Sequence, residues 1–176
     1  MILPLSYYDD PVLRKKALKI EKITDEIHQL SADMIESMIH YDGVGLAAPQ
    51  AGKLLRIFVI RDEIPQPDGS YDFGPPEVII NPVISNPSAE MVFMSEGCLS
   101  IPGLHSDILR PAAIHVRYQR LDGEFVEEKA SGFRARVFMH ENDHLNGVLF
   151  FDRMTPEQRK KIDSHLRSVK MKYRKK

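Results

Sequence analysis

Two histidines four residues apart, in His140-Glu141-Asn142-Asp143-His144, restrict this chain more than any other feature, because they can share one ion only if the segment between them is helical. The flanking sequence permits that helix. No Pro or Gly interrupts Phe133 to Asn146, Ser131 is available as an N-cap, and Gly147 follows as a C-terminal stop. Glu141 projects beside the imidazoles, where a carboxylate can take a proton from water rather than ligate. Without chemistry, the stretch is a helix that happens to carry two of the chain's seven histidines; the intervening Glu favours the metal.

Two imidazoles do not complete a catalytic centre, which usually has three protein ligands and an open position. The extension H-E-x-x-H-x-x-G-x-x-H runs as far as Gly147 and then meets Phe150 where a histidine is required. Downstream, Asp152, Glu157 and Asp163 are candidates, although Thr155-Pro156 starts a new polar helix there. Upstream, Cys98 is the only cysteine, in Glu96-Gly97-Cys98-Leu99-Ser100 after the strand-like Glu90 to Met94. A lone Cys is ordinarily a small buried hydrophobe, but beside a histidine pair its thiolate is the leading third ligand. Gly97 would allow the close backbone approach that such a site needs. A single cysteine also excludes an internal disulfide and suits a reducing compartment.

The rest of the chain reads as one α+β domain. Its 176 residues, 43% hydrophobic and 28% charged, suffice for one sizeable core. Ile27, Leu30, Met34, Ile35, Met38 and Tyr41 recur at three and four, predicting an amphipathic helix from Thr24 to Tyr41. Leu54 to Ile60 and Glu77 to Val83 read as strands around a surface loop rich in Pro, Asp and Gly. Ile114, Val116 and Tyr118, then Asp122-Gly123, then Phe125 and Val126, predict a hairpin. Thr155-Pro156-Glu157-Gln158 opens a last helix with Ile162, Leu166, Val169 and Tyr173 on one stripe. Gly43-Val44-Gly45-Leu46-Ala47-Ala48-Pro49-Gln50 follows the first helix; it lacks the Lys of a phosphate loop and reads as a tight helix exit before it reads as a ligand site. The expected architecture is antiparallel sheets packed around the helix that carries H-E-x-x-H, with a C-terminal helix. The start of the chain has no signal-peptide pattern and no stretch is long enough to span a bilayer, so no membrane partner is expected.

Gly43 to Gln50, Glu96 to Ser100 and His140 to His144, in this order and spacing, resemble the three signature motifs of the peptide deformylases. The similarity extends through Asp10 to Arg14, Arg110-Pro111, Gly132 to Val137 and Leu145 to Gly147. The resemblance implies removal of the N-formyl group from the initiator methionine of nascent polypeptides, releasing formate. It implies Cys98, His140 and His144 as ligands of one divalent metal, typically Fe(II) with nickel, cobalt or zinc able to replace it, and Glu141 as the proton carrier. It assigns the oxyanion donors to the Gln50 side chain and the Leu99 N–H. It lays the substrate backbone along Gly43, Val44 and Gly45 as an added strand. The methionine side chain would enter a pocket for which Val44, Leu99, Phe133 and Val137 are candidates, although Phe133 and Val137 equally fit an ordinary core at i, i+4 spacing. Glu96 and Arg110 are candidates to pair and brace the Cys98 strand, although a surface ion pair is often worth little. His105 stands where many relatives carry a basic residue near the mouth.

Charge divides the chain. Arg153 to Lys176 holds ten Lys and Arg against Glu157 and Asp163, a net +8, which leaves -9 on residues 1–152 of a chain whose total is -1. The expectation is a catalytic domain over 1–152 and a basic helix over 153–176 that docks on ribosomal RNA near the nascent-chain exit, in the cytoplasm, with no DNA partner. Two rivals stay open: an endopeptidase using a downstream carboxylate as third ligand, and a ribosome-binding homologue without turnover.

Overall fold

The computed structural model describes residues 1–173. In chain order its strands are β1 (Gly45–Ala47), β2 (Ile57–Ile60), β3 (Glu63–Pro65), β4 (Tyr71–Phe73), β5 (Glu77–Ser85), β6 (Met91–Cys98), β7 (Ile101–Pro111), β8 (Ala113–Gln119) and β9 (Phe125–Ser131), and its helices are α1 (Asp25–His40), α2 (Gly132–Leu145) and α3 (Pro156–Tyr173). Five strands form an antiparallel sheet in the order β1-β2-β5-β8-β9, and β3–β4 and β6–β7 are separate two-stranded ribbons.

β2 explains the layering. Its four residues are all apolar because both faces are covered, and alternation sends Phe58 and Ile60 one way and Ile57 and Val59 the other. Phe58 and Ile60 join Ile79, Ile114, Val116 and Tyr118 against Ala135, Phe138 and Leu145 of α2. Ile57 and Val59 join Leu46 and Ile80 against Ile27, Met34 and Met38 of α1. The sheet therefore separates two helices, and α2 is enclosed between it and the β6–β7 ribbon. This is the α+β arrangement expected around the H-E-x-x-H helix.

A third cluster fixes α3. Ile162, Leu166 and Val169 are buried against Leu13, Ile101, Leu104, Ile108, Phe150 and Phe151, at roughly 1.5 to 3 kcal/mol per side chain. Its start is a reciprocal capping box: Gln158 N donates to Thr155 Oγ1 at 3.2 Å and Thr155 N donates to Gln158 Oε1 at 3.0 Å. At its end Tyr173 stacks on Tyr7 with ring centroids 3.9 Å apart.

Four elements differ from their sequence reading. The run from Leu54 enters the sheet only at Ile57, since Leu54 and Leu55 face Leu18 instead. The expected loop after Arg61 is a hairpin, pairing Glu63 with Phe73 and Pro65 with Tyr71; its short strands are hidden in the sequence by the Pro and Gly of its own turn. Ile101–Pro111 is a full strand, obscured because buried Arg110 occupies an inward position that would ordinarily be apolar. The Gly43 to Gln50 segment is more than a helix exit: Asp42, at φ 55°, ends the turn after α1, and Gly45–Ala47 is the edge strand of the main sheet.

Candidate metal centre

Cys98 reaches α2 through an irregular hairpin. Gly97 pairs with His105, but Cys98 pairs with Ile101, so residues 102–104 bulge out and Leu99-Ser100 make the turn. Gly103 takes φ +77° in that bulge. The result sets Cys98 Sγ 3.3 Å from His144 Nε2, and ligand atoms of Cys98, His140 and His144 all lie within 4.8 Å of one another. The rival third ligands are engaged elsewhere. Asp152 pairs with Arg14 and accepts from Leu149 N at 2.9 Å, Asp163 pairs with Arg159, and Glu157 lies 3.8 Å from Lys161.

Glu96 orients the first histidine. Its Oε1 is 2.8 Å from His140 Nδ1, so that nitrogen donates and Nε2 is the ring atom with a lone pair to offer. Glu96 also accepts from Arg110 Nε at 2.7 Å, Arg110 Nη2 at 2.9 Å and Arg136 Nη1 at 2.8 Å. Arg136 extends this web to the carbonyls of Ile108 and Val92, on both strands of the ribbon. Arg110 continues it to Asp143 at 2.8 Å, which Arg153 holds from the other side at 2.6 Å. Burial alone would raise the Glu96 pKa; the His140 and Arg110 hydrogen bonds overcome it and hold the carboxyl well below its usual range. Glu96 and Arg110 do pair and brace the ligand-bearing ribbon, but not at the surface: their side chains are 3% and 2% exposed, so the pair is fully desolvated.

Glu141 is treated differently. Its Oε2 is buried with no partner, and burial pushes its pKa up to about 7. It sits against Gly45: a Cβ there would lie 2.8 Å from the Glu141 carboxyl carbon, so this glycine is required for the carboxylate to reach the cleft. Gln50 is buried with its amide fixed, Oε1 accepting from Ala47 N at 2.9 Å and Nε2 donating to Ser100 Oγ at 3.2 Å, 3.5 Å from Cys98 Sγ. The amide donor is thereby aimed at the centre. Burial works against ionisation of His140, but Cys98 and Glu96 outweigh it and raise its pKa; burial, with His140 and Arg110 nearby, lowers that of His144.

These groups open on a cleft of about 520 Å³ whose lining includes Gly43, Val44, Gly45, Leu99, Phe133 and Val137. Val137 belongs to the core and Phe133 packs on it, so both sequence readings of this pair meet in one wall. A Cβ at Gly43 would come within 2.9 Å of Leu99 Cδ1, and one at Gly97 within 2.6 Å of His105 Nε2, so the two glycines let opposite walls close. His105 lines the mouth, whereas His165 is spent on the Pro102 carbonyl. Sequence reasoning missed Arg136, Asp143 and Ser100. For Arg136 and Asp143 the available signal was polarity inside a helix otherwise bound for the core.

The residues fit a divalent cation. One thiolate and two imidazoles suit a borderline metal, Glu96 fixes one tautomer, and the groups that favour a proton on His140 would equally favour a cation. Glu141 Oε2 is a buried polar atom without a protein partner, as expected where its partner is a water or substrate atom that arrives with the reaction. Such an arrangement can hydrolyse an amide held in the cleft.

The family model described as Polypeptide deformylase matches residues 2–160. The peptide deformylase of Thermotoga petrophila is 46% identical over 168 residues, covering 93% of this chain and 96% of its own, and that of Thermotoga neapolitana is 45% identical over 163 residues, covering 92% and 93%. Among solved structures, the Ehrlichia chaffeensis peptide deformylase superposes with a TM-score of 0.86 at 37% identity, covering 99% of this chain and 98% of that one. The Acinetobacter baumannii enzyme, solved with Met-Ala-Ser bound, gives 0.81 at 34% identity over 88% of this chain and 99% of that one.

Proposed function

The chain belongs to the peptide deformylase family, and on that premise we propose how its residues divide the work. It is a hydrolase that removes the N-formyl group from nascent peptides. The observation that carries the assignment is the convergence of Cys98, His140 and His144 beside an unpartnered Glu141 Oε2.

Cys98 Sγ, His140 and His144 hold one divalent ion, Fe(II) in the cell, at a site that also accepts zinc, nickel or cobalt. When bound, the ion supplies Lewis acidity, polarising the formyl carbonyl and acidifying water. Glu141 Oε2 takes the proton from the attacking water and delivers it to the departing amine, so that water and a formamide become formate and a free amino terminus. Gln50 Nε2 and the Leu99 N–H donate to the oxygen that gains charge. The unpaired edge of β1 at Gly45 accepts the peptide backbone as an added strand, and Val44, Leu99, Phe133 and Val137 receive the methionine side chain. The Met-Ala-Ser bound to the Acinetobacter enzyme has the chemistry of the peptide that such a cleft would release.

Residues 1–152 form the catalytic unit and 153–176 a basic segment that contains α3, its residues 174–176 lying outside the described ones, and we take this segment to dock on ribosomal RNA in the cytoplasm. Exposed Lys160, Lys161 and Arg167 support that reading. Among the described residues no helix is long and apolar enough to cross a membrane. The test is formate release from formyl-Met-Ala-Ser by anaerobically purified protein, with Glu141→Ala beside it and metal measured on both. Wild type should release formate while the variant keeps its metal and releases almost none; a metal-loaded wild type without activity would overturn the assignment.

A further inference from the structure

The basic helix α3 is not the only cationic surface. Residues 14–22 read Arg14-Lys15-Lys16-Ala17-Leu18-Lys19-Ile20-Glu21-Lys22, five cations against one acid, inside the part of the chain that nets -9. The fold draws this segment across the C-terminal end of α2. Arg14 Nη1 donates to the Gly147 carbonyl at 3.4 Å, Ala17 N to Leu145 O at 2.9 Å, Leu18 N to Leu54 O at 2.9 Å, and Ile20 N to Asn81 Oδ1 at 2.9 Å. Lys15, Lys16 and Lys22 are exposed and make no ion pair among the described residues; Lys19 lies 3.3 Å from exposed Glu21. Leu18, between them, is 68% exposed.

Both ends of the segment meet further cations. At one end the guanidinium groups of Arg14 and Arg159, paired with Asp152 and Asp163, both lie over the Phe151 ring, at 5.5 and 4.8 Å from its centroid, which joins the segment to the first turn of α3. At the other end Lys19 and Arg56 line a cavity of about 380 Å³ with Asn81 and Asn142. Arg56 is half-buried there, and its partners among the described residues are all neutral: Asn146 Oδ1 at 3.0 Å, Pro82 O at 3.2 Å and Asn142 Oδ1 at 3.3 Å. A half-buried guanidinium facing a cavity without a carboxylate is an unusual charge to leave uncompensated. With Asn142 and Asn146 turning their amide oxygens to it, their NH2 groups remain as further donors.

We propose that Arg159, Arg14, Lys15, Lys16, Lys19 and Arg56 form one continuous track for the phosphate backbone of RNA, ending in the Arg56 cavity, which receives a phosphate group. The Arg56 cavity shares no lining residue with the metal cleft, so RNA held there leaves the cleft open. RNA is favoured over a membrane surface because the cations follow one another along a single segment whose Lys19 shares a concave end with Arg56 and Asn142, and exposed Leu18 is a single apolar side chain rather than an inserting face. The choice of RNA rests on the ribosome reading of α3; the position of the track does not.

The test compares wild type, a track variant (Lys15→Gln, Lys16→Gln, Lys19→Gln and Arg56→Gln together) and a helix variant (Lys160→Gln, Lys161→Gln and Arg167→Gln together). Binding to purified bacterial ribosomes is measured across a salt titration, with formate release confirming that each variant is folded. The track variant should bind about tenfold or more weakly at physiological salt, with the slope of log K against log salt reduced by about 3. With ribosomes bound, chemical acetylation of the wild type should spare Lys16 and Lys19 while Lys129 on β9 stays reactive. If the track variant keeps wild-type affinity and slope while the helix variant loses binding, the track fails and the ribosome reading stands. The reverse outcome removes the helix and keeps the track, and no binding by wild type removes both. Equal affinity of wild type for equimolar phosphatidylglycerol and phosphatidylethanolamine vesicles would overturn the commitment to RNA.

Discussion

The two flanks of α2 handle buried charge in opposite ways. Toward the β6–β7 ribbon, Glu96 takes four hydrogen bonds from His140, Arg110 and Arg136, and Asp143 is held between Arg110 and Arg153. Toward the cleft, one oxygen of Glu141 has nothing. Both carboxyls are buried, yet their pKa values move in opposite directions, down for the saturated one and up to about 7 for the other. A saturated buried charge holds geometry, whereas an unsatisfied one is kept ready for a partner that arrives with the reaction.

Glu141→Gln is the sharpest way to break the contrast. Removing the proton carrier should lower kcat by about 10² to 10⁴ while metal content stays at the wild-type level. The same substitution has a signature in the metal-free protein. A carboxyl raised from 4.5 to about 7 supports folding fully below its unfolded value and loses that support as pH rises through the window between the two. Wild-type stability should therefore fall from pH 4.5 to 7 relative to the variant, read by denaturant unfolding; parallel curves would mean that Glu141 is not desolvated.

Glu96→Gln attacks the other flank. It leaves buried Arg136 without a carboxylate and Arg110 with Asp143 alone, and should cost about 3 to 5 kcal/mol of stability, with metal affinity weakened about 10- to 100-fold through His140. If equilibrium unfolding shows a loss under 1 kcal/mol, the web is not the brace described above. Gln50→Ala removes a donor from the cleft side alone, and kcat should drop about 10² to 10³ with metal retained. Loss of metal in step with activity would instead make Gln50 a support of Cys98, whose sulfur its amide approaches at 3.5 Å.

This asymmetry also decided what could be seen in the sequence. His140, Glu141 and His144 were legible because metal chemistry demands those types at helical spacing, Cys98 because it is the only thiol available to such a pair, and the main strands because β-branched runs are bounded by turn residues. Arg136 was not, nor was the burial of the Glu96–Arg110 pair, since an Arg in a strand or helix looks like a surface residue until its carboxylate partner is known to be buried beside it. The β3–β4 hairpin was lost among its own prolines, and the edge strand at Gly45 because glycine is a poor strand former unless something must approach it closely, as Glu141 does.

That approach gives a smaller prediction. Gly45→Ala puts a methyl group against the Glu141 carboxyl, and the resulting overpacking should cost about 1 to 3 kcal/mol while shifting Oε2 off its aim. Activity should fall more than metal content does, and a crystal structure of the variant should show the Glu141 carboxyl displaced. Unchanged kcat would mean that the cleft flank tolerates movement, contrary to the contrast with Glu96.

Exposed pairs should lie at the bottom of the scale. Arg159 and Asp163, an i, i+4 pair on α3 at 2.6 Å, are 35% and 53% exposed, against 2% and 3% for Arg110 and Glu96. Asp163→Asn should cost only about 0.3 to 0.5 kcal/mol, a shift in Tm of about 1 to 2 °C for a chain of this length. The same change removes a negative charge beside Arg159, at the junction of α3 with the track along residues 14–22, so ribosome affinity at low salt should rise as stability slips. A stability loss comparable with that of Glu96→Gln would erase the distinction between buried and exposed pairs. A fall in ribosome affinity would mean that Asp163 orders Arg159 for its contact rather than competing with RNA for it.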